Sequence, residues 1–221
     1  MSDSLPLLVA NLKANKTWEE VTSWLEQVGP KAHEFDGTVV FCPSTPFLAA
    51  ASLEIKEKNY KIHLGAQNIS KFEQGPYTGE LAVSQIKDMV QYTIIGHSER
   101  RNNFDEDDQL LETKVKLAND AGVKTIYCVQ DENTTIPEGT HVVAYEPLRA
   151  IGTGNPDTPE NAQDVSLKIK EKGDYKVLYG GSVYDANVKS FLKKNVIDGV
   201  LVGTASLNSE SFCKILESAK Y

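Results

Sequence analysis

Residues 176–206 read KVLYGGSVYDANVKSFLKKNVIDGVLVGTAS, and the order of elements in this stretch decides the fold. Lys176 to Tyr179 is a short apolar run that ends at Gly180-Gly181, and Gly199 to Val202 is a second that ends at Gly203. A helix from about Ala186 to Lys194 lies between them. A strand, a helix and a second strand in this order make parallel neighbours joined by a right-handed crossover, and near-continuous apolar strands are expected when both sheet faces are covered.

The same alternation extends to the N-terminus. Strands are predicted at Leu7 to Asn11, Thr38 to Cys42, Ile62 to Gln67, Tyr92 to Ile95, Lys124 to Val129 and His141 to Tyr145. Thr17 opens a helix, Glu20 completes a capping box, and Val21, Trp24, Leu25 and Val28 form its apolar face. Further helices are predicted after Thr45-Pro46, from Ala82 to Met89, from Asp105 to Ala121 with Gly122 as the stop, from Thr158-Pro159 to about Lys172, and from Ser209 to Lys220. Eight strands, nearly all followed by a helix, favour a closed (β/α)8 barrel over an open sheet, and no linker divides the chain, so residues 1–221 read as one α/β domain. One unit is incomplete. Only Gln130 to Thr140 separate strands five and six, so the fifth helix is expected to be a short turn, with Ile136 and Pro137 packing over the barrel.

Composition narrows the function classes. The chain has 221 residues, 40% hydrophobic and 24% charged, which fits an ordinary globular protein rather than a disordered or fibrous one. The formal charge of −8 argues against a nucleic-acid partner, which needs a basic surface. No apolar run reaches the roughly 20 residues of a membrane span, and the first residues do not read as a signal peptide. Three widely spaced cysteines, Cys42, Cys128 and Cys213, form no metal-ligand motif and read as free thiols of a cytoplasmic protein.

In such a barrel, chemistry sits at the C-terminal strand ends. Strand one ends in Asn11-Leu12-Lys13, which places a cation at the mouth of an acidic protein. Strand four runs into His97, able to polarise a carbonyl or carry a proton, and then into Glu99, Arg100 and Arg101, which read either as site groups or as a structural ion-pair cluster. Strand six ends at Glu146, a candidate general base, and is followed by a loop with Gly152 and Gly154 that can fold over a ligand. Gly180-Gly181-Ser182 and Gly203-Thr204, after strands seven and eight, stand where such barrels grip phosphate. A carboxylate, an imidazole and a phosphate grip suggest proton transfer beside the carbonyl of a small phosphorylated substrate, with no metal and no cofactor.

An ordered set of motifs carries a resemblance over nearly the whole chain. It runs through Asn11-Leu12-Lys13-Ala14-Asn15, Gly65-Ala66-Gln67-Asn68, Gly75-Pro76-Tyr77-Thr78-Gly79-Glu80, Ile95-Gly96-His97-Ser98-Glu99-Arg100-Arg101 and Ala144-Tyr145-Glu146-Pro147 to Gly180-Gly181-Ser182-Val183 and Val202-Gly203-Thr204-Ala205-Ser206. In these the sequence resembles the triosephosphate isomerases, the family for which the TIM barrel is named. The resemblance implies interconversion of D-glyceraldehyde 3-phosphate and dihydroxyacetone phosphate through an enediolate, in glycolysis and gluconeogenesis. It implies Glu146 as base, His97 as electrophile and Lys13 as the cation, with Asn11, Gly152, Ser182, Gly203 and Thr204 binding substrate and Glu99 and Cys128 in support. It also implies a homodimer formed through the loop 70–80, with Thr78 at its tip. Leu148-Arg149 stand where the family has Val-Trp, Asn155 replaces a common Lys, and Thr204 stands where a second Gly is usual.

Overall fold

The computed structural model describes residues 5–147, 156–193 and 196–220. Eight parallel strands close into a barrel in chain order: β1 (Leu7–Asn11), β2 (Thr38–Cys42), β3 (His63–Ala66), β4 (Tyr92–Ile95), β5 (Lys124–Val129), β6 (Val142–Tyr145), β7 (Lys176–Tyr179) and β8 (Gly199–Val202). The barrel shuts where β1 meets β8, with Leu7 beside Gly199 and Ala10 beside Val202. Glycine is required at this seam, since a Cβ on Gly199 would lie 1.9 Å from the Leu7 carbonyl oxygen.

The helices are α1 (Trp18–His33), α2 (Leu48–Glu57), α3 (Ser98–Asn103), α4 (Asp108–Asp120), α5 (Pro159–Lys170), α6 (Asp185–Leu192) and α7 (Ser209–Ser218). Alternation along each strand divides the core in two. Leu7, Val9, Val40, Ile94, Cys128, Ala144 and Leu201 fill the barrel interior, while Leu8, Ala10, Phe41, Tyr127, Val143 and Tyr179 face the helices. Both faces are therefore apolar, as the strand sequences indicate. The Thr17 box forms as expected: Thr17 N–H donates to Glu20 Oε2 at 2.7 Å and Glu20 N–H to Thr17 Oγ1 at 3.4 Å. Trp24 of α1 stacks on Phe41 at 4.5 Å and donates its indole N–H to the Ser206 carbonyl at 2.8 Å, tying α1 to the turn after β8.

Three local expectations change. The helix predicted from Ala82 to Met89 is a 3-10 turn at Val83–Gln85 followed by further turns. Gln85 Oε1 accepts the Ala82 N–H at 3.0 Å, and Val83, Ile86 and Val90 are buried at spacings that turns satisfy as well as a helix. The helix predicted from Asp105 begins at Asp108, because the Asp107 carboxylate caps Leu110 N–H at 2.8 Å and Asp105 takes a φ of 51°. A short helix that the apolar pattern does not signal, α3, opens directly after His97.

The fifth unit has no helix, and turns run from Asp131 to Thr140. Ile136 packs on the outer core and Pro137 is buried. The segment is tied on both sides: Asn119 of α4 donates to the Gly139 carbonyl at 3.1 Å, and Lys168 of α5 pairs with Glu132 at 2.8 Å. Under it Tyr127, Val129 and Val143 stay fully buried. Arg101 covers the Tyr127 edge, donating to its hydroxyl at 2.9 Å.

Candidate active site

At the end of β1, Asn11 is buried, and its Oδ1 accepts the Lys13 N–H at 3.0 Å. Lys13 takes a φ of 53°, uncommon for a residue with a Cβ. Its carbonyl is held there by Gln67 Nε2 at 2.8 Å and Ser44 Oγ at 3.0 Å. The side chain then passes Gly203, where an added Cβ would sit 3.2 Å from Lys13 Cε. Lys13 Nζ meets Glu99 Oε1 at 2.5 Å.

At the end of β4, Gly96 turns the chain at a φ of 71° and delivers His97 as the N-cap of α3. The Glu99 N–H donates to His97 Nδ1 at 3.2 Å. With Nδ1 accepting, the ring's N–H lies on Nε2. That nitrogen is 3.0 Å from Glu146 Oε1. The two arginines take the structural role: Arg100 pairs with Glu106 at 2.6 Å and Arg101 with Asp108 at 2.8 Å. Glu99 divides from them and faces Lys13.

Glu146, at the end of β6, is 1% exposed, so its carboxyl oxygens need hydrogen-bond partners within the protein. Oε2 accepts the Ser98 N–H at 2.9 Å, and the Glu146 N–H donates to the Val129 carbonyl at 2.8 Å. Cys128 lies beneath in the barrel interior, its thiol pushed well up by burial and, next, by the Glu146 carboxylate. Gly180 lets β7 pass close, since a Cβ there would fall 3.0 Å from Glu146 Cγ.

Asn11, Lys13, His97 and Glu146 border one cavity of about 400 Å3, whereas Glu99 and Cys128 do not line it. Gly180-Gly181-Ser182 and Gly203-Thr204 line the same cavity, with Gly180 against Glu146 and Gly203 against Lys13. The exposed Thr204 opens the 3-10 turn Thr204–Leu207 at the rim. Gly152, Leu148, Arg149 and Asn155 lie outside the described residues. Sequence reading missed the Ser98 N–H as a carboxylate donor, which only the short α3 creates. It also missed Tyr184 at the rim, where no motif points to it. Gln67 belongs to a motif and Ser44 to none, and neither carries a signal that it clamps the Lys13 carbonyl. Among the described residues, no group of three or more His, Cys, Asp or Glu could hold a metal ion. No described helix is long and apolar enough to cross a membrane.

Fold and cavity together define a (β/α)8-barrel protein with a carboxylate–imidazole pair and a lysine at the C-terminal ends of its strands, in a cavity shared with glycine-rich loops. The family model of triosephosphate isomerase matches residues 6–219. The chain is 35% identical to the triosephosphate isomerase of Aquifex aeolicus, covering 96% of this chain and 98% of that protein. It is 36% identical to that of Endomicrobium trichonymphae, covering 97% and 99%, and 35% identical to that of Hahella chejuensis, covering 96% and 98%. The chain belongs to the triosephosphate isomerase family. The first of these alignments runs over 245 positions, more than the 221 residues of this chain, which therefore carries deletions relative to its relative.

Proposed function

We propose that this protein interconverts D-glyceraldehyde 3-phosphate and dihydroxyacetone phosphate, a step of glycolysis and gluconeogenesis. The observation that carries the reading is the 3.0 Å pairing of His97 Nε2 with Glu146 in a cavity shared with Lys13 and with the loops after β7 and β8. Glu146 removes the proton from C2 of the aldose, the C–H electrons form the C1–C2 double bond, and the carbonyl oxygen takes the negative charge. His97 Nε2–H donates to that oxygen, and the Lys13 ammonium adds to its stabilisation. Once protons are redistributed between the two oxygens, Glu146 returns a proton to C1. No electron leaves the substrate, so the chemistry calls for no redox partner. Asn11 and Glu99 hold Lys13, Cys128 supports Glu146 from below, and Gly152, Ser182, Gly203 and Thr204 take the phosphate.

His97 and Glu146 satisfy one another in this structure. A triose entering between them gives the carboxylate a C–H to attack and the imidazole a carbonyl to polarise. The test is a coupled steady-state assay on glyceraldehyde 3-phosphate. Turnover supports the reading, and greater activity on a longer aldose phosphate contradicts it.

The protein acts as a cytoplasmic homodimer built through the loop 70–80. Phe72 stacks on Tyr77 at 3.9 Å, which stiffens a loop whose residues from Glu73 to Glu80 are exposed. Sedimentation velocity on the wild type and on Thr78→Arg is expected to read a dimer and a monomer. A monomeric wild type contradicts this assembly.

A further inference from the structure

Asp157 lies at the start of α5 and is not consumed in capping it, because Thr158 Oγ1 accepts the Asn161 N–H at 3.2 Å. Its groups are spent instead on two tyrosines. The Asp157 N–H donates to the Tyr179 hydroxyl at 2.8 Å, and Oδ2 accepts from the Tyr145 hydroxyl at 3.2 Å. The carboxylate is steadied by Asn161 Nδ2 on Oδ2 at 2.7 Å and by the Thr158 N–H on Oδ1 at 2.9 Å. Tyr145 and Tyr179 are register partners at the ends of β6 and β7, and both are buried on the outer face of the barrel. A buried phenol needs a hydrogen-bond partner, and an ionised acceptor makes the stronger bond.

Tyr145 directly precedes Glu146. Successive side chains of a strand point to opposite faces, so a turn of Tyr145 about the strand axis turns Glu146 with it. The backbone here is already pinned at two points: the Tyr145 carbonyl accepts the Gly180 N–H at 2.7 Å, and the Glu146 N–H reaches Val129. The Asp157 bond adds a third point, on the outer face, and removes the rotation that the other two leave.

We infer that Asp157, acting through the Tyr145 hydroxyl, is a positioning residue for Glu146, setting the direction in which the β6 end presents the carboxylate to the cavity. This rests on Glu146 being the base.

The test is a double-mutant cycle of Asp157→Ala and Tyr145→Phe, with Asp157→Asn as the conservative variant, read as kcat and KM on glyceraldehyde 3-phosphate beside thermal midpoints. Each single change is expected to lower kcat about tenfold with KM within about twofold, because misplacement of a reacting group falls on the chemical step. The double variant is expected to be no slower than the singles, since both remove one bond. Asp157→Asn retains a side-chain oxygen that accepts from Tyr145 and is expected to recover most of kcat. Folded variants with unchanged kcat, or losses that multiply in the double variant, overturn the inference. An inactive wild type removes the reading of Glu146 as base, and this inference with it.

Discussion

His97 Nε2 and Glu146 Oε1 stand 3.0 Å apart, with the Glu99 N–H fixing the proton on that side of the ring. One backbone amide thus decides which face of the imidazole is the donor. Removing the ring removes the polarising group while Glu146 keeps its Ser98 N–H. His97→Ala is expected to lower kcat by about 100-fold or more, within the range for a positioned acid–base group. Steady-state kinetics check it, and a loss confined to KM speaks against the electrophile role.

Gly180 tests how tightly Glu146 is held. A methyl there meets Glu146 Cγ at 3.0 Å and the Tyr145 carbonyl oxygen at 3.2 Å, so something must move. Gly180→Ala is expected to cost about tenfold in kcat. Steady-state kinetics check it, and an unchanged kcat would mean that the neighbouring chain gives way without moving Glu146.

Much of the fold is legible in the sequence because each strand is buried on both faces and reads as an apolar run bounded by turn residues. The strand ends could be read for the same reason: Lys13, His97 and Glu146 are polar residues placed directly after apolar strands. What stayed hidden has a common cause. Segments of one or two turns, such as Val83–Gln85 and α3, are too short for a helical period to register. Backbone groups such as the Ser98 N–H have no sequence signature. Asp157 reads as an ordinary polar residue before a helix cap, because its two tyrosine partners are about 12 and 22 positions away in the chain. Arg100 and Arg101 illustrate the opposite case, where the motif is visible but only packing assigns the pair to structural ion pairs and leaves Glu99 to Lys13.

The missing fifth helix makes a prediction about stability. Ile136 anchors the turn segment over β5 and β6 and is partly buried. Ile136→Ala is expected to lower stability by about 1–3 kcal/mol, toward the low end of values for buried apolar truncations, with turnover unchanged. Urea unfolding measures the first quantity. A variant as stable as the wild type would mean that the segment does not cover the barrel.

Alkali should act through the buried thiols and phenols. Burial pushes Cys42 up, burial and then Glu146 push Cys128 up, burial and then Asp157 push Tyr145 up, and burial pushes Tyr179 up to about 12. The folded state therefore keeps protons that the unfolded chain releases. Their contribution is complete below about pH 8.5, where unfolded thiols begin to ionise, and is lost as pH rises through the phenol range toward the folded values. The thermal midpoint is expected to fall steadily over that window. A midpoint level to pH 12 contradicts it.

Everything in this mechanism turns on Glu146 moving the proton. The direct measurement is the coupled assay on glyceraldehyde 3-phosphate for the wild type and for Glu146→Ala, with thermal midpoints recorded alongside. An active wild type and a folded variant slower by a factor on the order of 100 or more are expected, as for loss of a general base. A folded Glu146→Ala protein that turns over as fast as the wild type would mean that another group moves the proton.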